Sequence, residues 1–177
     1  MNSSMPTNRE KDVLDLVDDA PVPQDSPEGR ATARRLIRHW WTTVRAKDLD
    51  ALETILADDI VIELPFNESG RNEEGGFRRY EGMQEVRGFW TAAFKAEGKS
   101  HGMTDVEITI NADGSLVFIE GRGNLTMANG KSYRNRYVFR FLIENGRIRH
   151  VREYYNPITS AAAFGRMVAG KFSIDSL

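Results

Sequence analysis

The sequence predicts an α+β fold in which a strongly curved antiparallel sheet wraps around about three N-terminal helices. The first half of the chain carries apolar residues at helical spacing, whereas the second half alternates between apolar and polar residues over long runs. Two of these runs are joined by Asn129-Gly130, a strong signal for a β-hairpin. A curved sheet over helices leaves a conical cavity at one end, and ligands favour such concave sites.

Composition limits the classes to which the protein can belong. The 177 residues favour one domain, and the net charge of −2 predicts no binding to nucleic acid or to an anionic membrane. No run approaches the roughly 20 apolar residues of a membrane span. The chain has no cysteine, and its three histidines lack partners at ligand spacing, so we expect no protein-held metal. The polar, acidic N-terminus does not resemble a signal peptide, and a cytoplasmic location fits best.

Three segments are expected. Residues 1–27 are rich in Ser, Pro and acidic residues, which favours a flexible tail, although Val13 to Val17 could form one helical turn that docks on the body. Residues 28–160 form the α+β domain. Residues 161–177 are predicted as a C-terminal helix or tail.

Helical spacing predicts the elements of the first half. The first helix begins near Pro27, and its apolar stripe consists of Ala33, Leu36, Ile37, Trp40 and Val44. Asp48 can cap a second, short helix that reaches about Leu56. A third helix has an apolar face made of Val86, Phe89, Trp90, Ala93 and Phe94.

Strands and one loop fill the rest of the chain. A first strand over Ile60–Leu64 precedes a segment over Asn67–Arg79 that is rich in Gly, Glu, Asn and Arg and is expected to be a mobile loop. A brief strand follows at Tyr80. The four long strands are predicted over His101–Asn111, Leu116–Met127, Tyr133–Ile143 and Arg147–Asn156.

The last hairpin carries the main candidate for chemistry. Alternation places six residues on two faces that can meet, namely Tyr137, Phe139 and Phe141 on one strand and Val151, Glu153 and Tyr155 on the other. If the faces meet, desolvation among aromatic rings raises the pKa of Glu153 and suits it to acid–base work near neutral pH. The alternative is a surface Glu153 that is solvated or paired with a cross-strand arginine.

Three motifs resemble a known superfamily: Ala46-Lys47-Asp48-Leu49-Asp50-Ala51-Leu52, then Ala57-Asp58-Asp59-Ile60-Val61-Ile62-Glu63-Leu64-Pro65, then Tyr80-Glu81-Gly82 before a helix. They look like the nuclear transport factor 2-like (NTF2-like) fold, also called the SnoaL-like or ketosteroid-isomerase-like cone, of the cystatin-like class. The ending from Glu144 to Ile158 resembles the phenazine biosynthesis A/B proteins within it. The resemblance covers about residues 30–160. It implies a homodimer with the outward sheet faces in contact.

Site positions carried over from this resemblance are partly empty. The general-base Asp of ketosteroid isomerases falls at Leu64, and their oxyanion Tyr falls at Trp40, which argues against an isomerase of that type. Their second oxyanion donor falls at Tyr137. In the phenazine A/B proteins the general-acid Glu of the last strand matches Glu153, and a Tyr on the preceding strand matches Tyr137. The chain has no His where that family carries one, at the start of the third helix.

Further side chains are candidates for contact with a substrate. Arg122 could hold an anionic group, although a solvated or dimer-facing stripe is the favoured explanation. Asn135 shares the Tyr137 face and could orient a carbonyl, whereas Glu63 is expected to point away from the cavity. The full set expected to bind substrate is Trp40, Leu64, Trp90, Arg122, Asn135, Phe139, Val151 and Tyr155.

These observations favour a small cofactor-independent enzyme that binds a hydrophobic, oxygenated metabolite. Acid–base chemistry would drive a cyclisation, condensation, dehydration or isomerisation, with Glu153 as the acid–base group and Tyr137 as a hydrogen-bond donor to developing oxyanion charge. The alternative is a non-catalytic small-molecule-binding or dimerisation module of the same fold. An exposed Glu153 with an ordinary pKa would favour the module, and a recessed Glu153 beside Tyr137 would favour catalysis.

Overall fold

The computed structural model describes residues 13–67, 70–71, 73 and 75–167. Helix α1 spans Val13–Asp18, where the sequence predicted one helical turn. We expected this turn to dock on the body, but the side chains of Val13 and Val17 are largely exposed and do not dock. The flexibility of the tail stays a prediction, and residues 1–12 and 168–177 lie outside the described part of the chain.

Helix α2, over Pro27–Ala46, is the main helix that packs against the sheet. It begins at Ser26, whose Oγ accepts a hydrogen bond from the Gly29 amide at 3.0 Å, with proline at the first helical position. It ends where Lys47 adopts a left-handed conformation (φ 56°). The predicted stripe is buried at Ala33, Leu36, Ile37 and Trp40.

Two element boundaries differ from the prediction. Helix α3 spans only Leu49–Glu53, capped by Asp48, and strand β1 already begins at Leu56 and runs to Leu64. Leu56 is fully buried and pairs with Ile148, so tertiary pairing overrides the helical spacing at this residue. Strand β2 spans Arg78–Glu81 and therefore begins inside the predicted loop.

The remaining elements follow the predicted order. Helix α4 covers Gly82–Ala96 and is followed at once by strand β3, over Glu97–Ile110, which begins four residues before the prediction. The other strands are β4 (Leu116–Met127), β5 (Ser132–Tyr133), β6 (Arg136–Glu144) and β7 (Arg147–Tyr155). Helix α5 covers Pro157–Phe164.

Seven strands form one sheet in the order β2-β1-β7-β6-β4-β3, with β5 paired to β4. All pairs are antiparallel except β1 with β7, which is parallel, so the sheet is mixed and not antiparallel throughout as predicted. The sheet has an inner face against the helices and an outer face. On β6 the inner residues are buried at every second position, as alternation predicted.

The core lies between the inner face and helices α2 and α4. The Trp40 ring packs edge-to-face against Trp90 and Phe141, with ring centroids 5.5 and 5.2 Å apart. Phe141 is fully buried beneath them, whereas the cluster opens towards Tyr137 at the other end of β6. No helix of the described residues is long and apolar enough to cross a membrane.

Candidate active site

A cavity of about 900 Å³ opens between helices α2 and α4 and the inner face of the sheet. Its wall is mainly apolar and aromatic. Of the residues expected to bind substrate, five line it: Trp40, Leu64, Trp90, Phe139 and Tyr155. A cavity of this size suits a small organic molecule.

Glu153 lies in this cavity, two residues before the end of β7 and in register with Phe139 of β6. The pKa of Glu153 is raised to about 7: burial is the largest cause, the negative charge of Glu97 acts in the same direction, and the positive charge of Arg78 opposes both effects. The side chain is half-buried, since it meets the cavity and not the outer solvent. It is thus recessed beside the aromatic rings, so the surface position considered above does not apply.

Tyr137 occupies the next inner position of β6, opposite Tyr155 of β7. Its ring stacks on Phe139 with centroids 5.4 Å apart and has room because residue 123 is glycine. A Cβ at Gly123 would lie 2.7 Å from the Tyr137 ring. Burial holds the pKa of Tyr137 well above its ordinary value, helped by Tyr133 and Glu153, so the phenol keeps its proton and can donate a hydrogen bond.

Glu97 is a second carboxylate in the cavity, and it was not among the residues predicted from the sequence. Burial raises the pKa of Glu97, and the charge of Lys47 opposes that shift. The Lys47 ammonium donates to the Phe94 carbonyl at 2.7 Å and to the Glu97 carbonyl, so it fixes the junction of α4 and β3. The only sequence signal was the end of the apolar stripe at Phe94.

Arg78 brings a cation to the same cavity. It lies opposite Leu64 in the β1–β2 pair and donates a hydrogen bond to the Tyr155 hydroxyl. Sequence reasoning missed Arg78 because it fell within the segment predicted as a loop. Its charge partly offsets the burial of Glu153.

Three of the expected substrate-binding residues are not in the cavity wall. Val151 is buried in the packed core between its strand neighbours Phe141 and Ile62, two residues before Glu153 on β7. Arg122 is half exposed on the outer face, 3.4 Å from Asp105, as the alternative reading of this residue allowed. Alternation on β4 alone could not say which face is inner.

Asn135 is buried, but its amide is committed to the protein. Its Nδ2 donates to the Tyr133 hydroxyl at 3.0 Å and to the Asn156 carbonyl at 2.9 Å. Its Oδ1 accepts from the amides of Arg136 and Asn156. These four bonds join the start of β6 to the end of β7, so Asn135 positions the two tyrosine-bearing strands and leaves no amide group for a substrate carbonyl.

Glu63 lies on the outer face of β1, pointing away from the cavity as expected. It is only 3 % exposed and is surrounded by cations. Arg152 donates to it at 2.7 Å, Arg79 forms a second ion pair, and His150 Nε2 lies 3.0 Å away. Burial alone would raise the pKa of Glu63, but these partners outweigh it and lower the pKa below its ordinary value.

The described residues were compared for metal ligation and for unpaired carboxyl groups in the cavity. Among the described residues, no three His, Asp or Glu side chains come together in a group that could hold a metal ion. Across those same residues, the side-chain carboxyls of Glu97 and Glu153 take part in no hydrogen bond and no ion pair within 4 Å. Buried polar groups are normally satisfied, so this pair stands apart from the fully paired Glu63.

Comparison with known proteins places these features in context. A family model described as a SnoaL-like domain matches residues 37–151. A search of curated proteins found no match.

Solved structures share the fold at low sequence identity. A Bacillus subtilis protein provisionally described as an isomerase is 22% identical with a TM-score of 0.67, over 80% of this chain and 99% of that one. A polyketide cyclase, provisionally so described, from Xanthomonas campestris is 21% identical with a TM-score of 0.62, over 77% and 99%. A phenazine biosynthesis-related protein from Pseudomonas aeruginosa is 15% identical with a TM-score of 0.59, over 92% and 99%.

Proposed function

Since this chain belongs to the SnoaL-like domain family, we propose that it is an enzyme that uses acid–base chemistry on a hydrophobic, oxygenated small molecule. The reaction belongs to the cyclisations, condensations, dehydrations and isomerisations, and it needs no cofactor. The observation that carries the proposal is the recessed carboxyl of Glu153 in an aromatic cavity, with a pKa of about 7. A carboxyl of that pKa holds its proton in a large share of molecules at neutral pH and can give it to a substrate oxygen.

Tyr137 supports the same step. Its phenol stays protonated, and it lies diagonally across from Glu153 on the adjacent strand, one inner position away from Phe139. A donor aimed at the oxygen that gains negative charge lowers the barrier most in a site that excludes water. The aromatic wall around Trp40 and Trp90 would bind the hydrocarbon part of the substrate.

The competing function is a binding module without catalysis. Leu64 and Trp40, which occupy the ketosteroid-isomerase base and oxyanion positions, form apolar wall in this cavity. A module needs no group with a shifted pKa, however, and an isolated buried carboxyl costs binding energy for an apolar ligand. The environment of Glu153 therefore supports the enzyme.

The test uses 2-tetralone, an apolar bicyclic ketone, as a probe in D₂O. Proton removal next to a carbonyl is an elementary step shared by the proposed reactions, and NMR follows the loss of the α-proton signal. The wild-type protein should exchange the probe faster than Glu153→Gln by about 100-fold, the usual size of a general acid–base contribution. Glu144→Gln, a change in an exposed ion pair at the β6–β7 turn, is the matched control.

Quenching of tryptophan fluorescence by 2-tetralone separates the two functions, because Trp40 and Trp90 line the cavity. Binding with equal exchange in wild type and Glu153→Gln would establish the binding module and reject the enzyme. A Tyr137→Phe variant should bind the probe normally and exchange it more slowly.

We also propose that the protein forms a homodimer through the outer face of the sheet. Two like-charge pairs lie directly across neighbouring strands there, Glu107 with Glu120 and Arg140 with Arg152. Such pairs are unfavourable within one sheet. A twofold axis would place the acidic β3–β4 half of one protomer on the basic β6–β7 half of its partner. A cytoplasmic location stays a prediction.

A further inference from the structure

We propose that Glu97 is a second catalytic residue of this cavity, the base that removes a proton from a substrate carbon while Glu153 protonates the substrate oxygen. The inference rests on the proposed function, since it assigns Glu153 a partner in the same site. It also narrows the substrate to an apolar ketone or aldehyde with a hydrogen on the carbon next to the carbonyl.

The two carboxylates come from distant parts of the sheet. Glu97 is the first residue of β3, and Glu153 lies near the end of β7, with β4 and β6 between these strands. Both nevertheless line one cavity, because the sheet curls around it. Tyr137 on β6 lies within electrostatic reach of both carboxylates. An acid, a base and a neutral donor therefore surround one volume.

The backbone holds Glu97 firmly at the cavity wall. Lys47, the residue that ends helix α2, donates a hydrogen bond to the Glu97 carbonyl. The next residue, Gly98, is pressed onto β4, since a Cβ there would lie 2.6 Å from the Thr126 carbonyl oxygen. A group that is both anchored through its main chain and free at its carboxyl is suited to act on a ligand.

Within the described part of the chain, neither carboxyl has a hydrogen bond or an ion pair from its side chain. Glu63, by contrast, is a structural carboxylate on the same sheet and forms ion pairs with two arginines. Leaving two recessed, half-buried carboxyls without partners is unfavourable, and this arrangement is explained if both act on a substrate.

Mutual repulsion lets the pair hold one proton. The charge of Glu97 raises the pKa of Glu153, and burial raises the pKa of Glu97 as well. Two nearby carboxyls in a poorly solvated site do not both ionise readily, and they titrate as a unit. Near neutral pH one carboxyl is therefore an acid while the other is a base, which is what simultaneous proton donation and removal require.

The proposed step balances without an oxidant or a reductant. The carbon–hydrogen bond next to the carbonyl breaks, and its proton goes to the Glu97 carboxylate. The electron pair left on carbon forms a carbon–carbon double bond, and the carbonyl π pair moves to oxygen. That oxygen takes the proton of Glu153, giving an enol. Glu97 is then protonated and Glu153 is a carboxylate, so the charge of the pair is unchanged, and the reverse transfers complete an isomerisation or an exchange.

The first test compares 2-tetralone exchange in D₂O for the wild type, Glu97→Gln, Glu153→Gln and the control Glu144→Gln. Glu97→Gln should lower the exchange rate by about 100-fold, with the control unchanged. Near-UV circular dichroism checks that each variant keeps the native packing. Glu97→Asp, which keeps a carboxylate on a shorter chain, should retain more exchange than Glu97→Gln.

The second test titrates the pair directly by NMR of ¹³C-labelled glutamate side chains. In Glu97→Gln the pKa of Glu153 should fall, because a neighbouring negative charge is gone while burial stays. An unchanged Glu153 titration would overturn the pairing, since the two groups would then not interact.

The outcomes separate this inference from the proposed function. Loss of exchange in Glu153→Gln with a wild-type rate in Glu97→Gln would reject Glu97 as the base and leave Glu153 as the acid. A wild-type rate in Glu153→Gln would reject the proposed function itself. A wild-type protein no faster than the double variant Glu97→Gln/Glu153→Gln would reject both.

Discussion

Glu63 and Glu153 lie on opposite faces of this sheet, and residue type alone does not set the acid–base chemistry of their carboxyls. Glu63 is enclosed by Arg79, Arg152 and His150, and its pKa is lowered. Glu153 faces aromatic rings and a second carboxylate, and its pKa is raised to about 7. The difference lies in what each side chain meets, since charge partners stabilise an ionised carboxyl and desolvation destabilises it.

The raised pKa of Glu153 predicts a cost in stability at high pH. Its carboxyl has an ordinary pKa of 4.5 in the unfolded chain and about 7 in the folded protein. The folded state binds more protons between these values, so stability falls as the pH rises from about 4.5 to about 7 and stays lower above that. Glu153→Gln should therefore be more stable than the wild type by about 1–3 kcal/mol near pH 8 and about equal near pH 4. Urea unfolding at both pH values measures this, and a variant less stable than the wild type near pH 8 would contradict it.

Glu63 should show the opposite behaviour. Glu63→Gln removes the common partner of two arginines and should destabilise the protein by about 2–3 kcal/mol at neutral pH, below the cost at a fully buried pair because the arginines are partly exposed. The folded pKa of Glu63 is lowered, so its contribution is complete above the ordinary pKa of 4.5 and is lost as the pH falls below it. The difference from wild type should shrink in acid. Glu144→Gln, a change in an exposed ion pair, is the control, and equal losses in both variants would refute the special role of Glu63.

At the scale of elements, close backbone contact fixes how helix α2 meets the sheet. Gly29 in the first turn of α2 touches the β3–β4 turn, where a Cβ on Gly29 would lie 1.9 Å from the Asp113 carbonyl oxygen. Gly114 in that turn has φ +77°, and a Cβ there would lie 2.2 Å from Gly29. The amide of Ser26 also donates to the Ala112 carbonyl at 2.9 Å. These contacts fix the position of helix α2 against the sheet, and with it the position of Trp40 in the cavity wall.

Gly29→Ala should therefore destabilise the protein by about 2–3 kcal/mol, because the backbone of the turn must move. Gly88→Ala in α4 is the matched control, since nothing lies within 4 Å of its Cβ and alanine favours the helix by about 0.5–1 kcal/mol. Thermal unfolding of both variants gives the comparison. A Gly29→Ala variant as stable as Gly88→Ala would show that the turn yields easily.

At the scale of the whole molecule, the outer face of the sheet carries features that are unfavourable in a monomer. Phe118 lies at the centre of this face and is 37 % exposed, beside the Glu107–Glu120 and Arg140–Arg152 pairs. A second copy bound about a twofold axis would cover the ring and bring opposite charges together. This account agrees with the homodimer expected from the sequence.

Phe118→Glu should weaken this dimer by about tenfold or more, since it adds a charge to the apolar centre of the interface. Light scattering across micromolar concentrations measures the dissociation constant. Val22→Glu, at a site 93 % exposed away from the sheet, should leave it unchanged. A wild-type protein that stays monomeric at the highest concentrations would remove the dimer from consideration.

The sequence by itself determined the α+β class, the stripe of α2, the alternation of β6 and the presence of Glu153 among aromatic residues, because these follow from local periods and turn residues. Only the tertiary structure decided the parallel pairing of β1 with β7, the outward position of Arg122, the burial of Val151 and the presence of Glu97 in the same cavity as Glu153. The position of Glu97 in the cavity could not be predicted from the sequence, because the register of β3 against β4 shifts three times and this breaks the alternation of faces. The physical reason is general: a period says which residues share a face, but the curl of the sheet says which faces meet, and the shifted pKa values depend on that meeting.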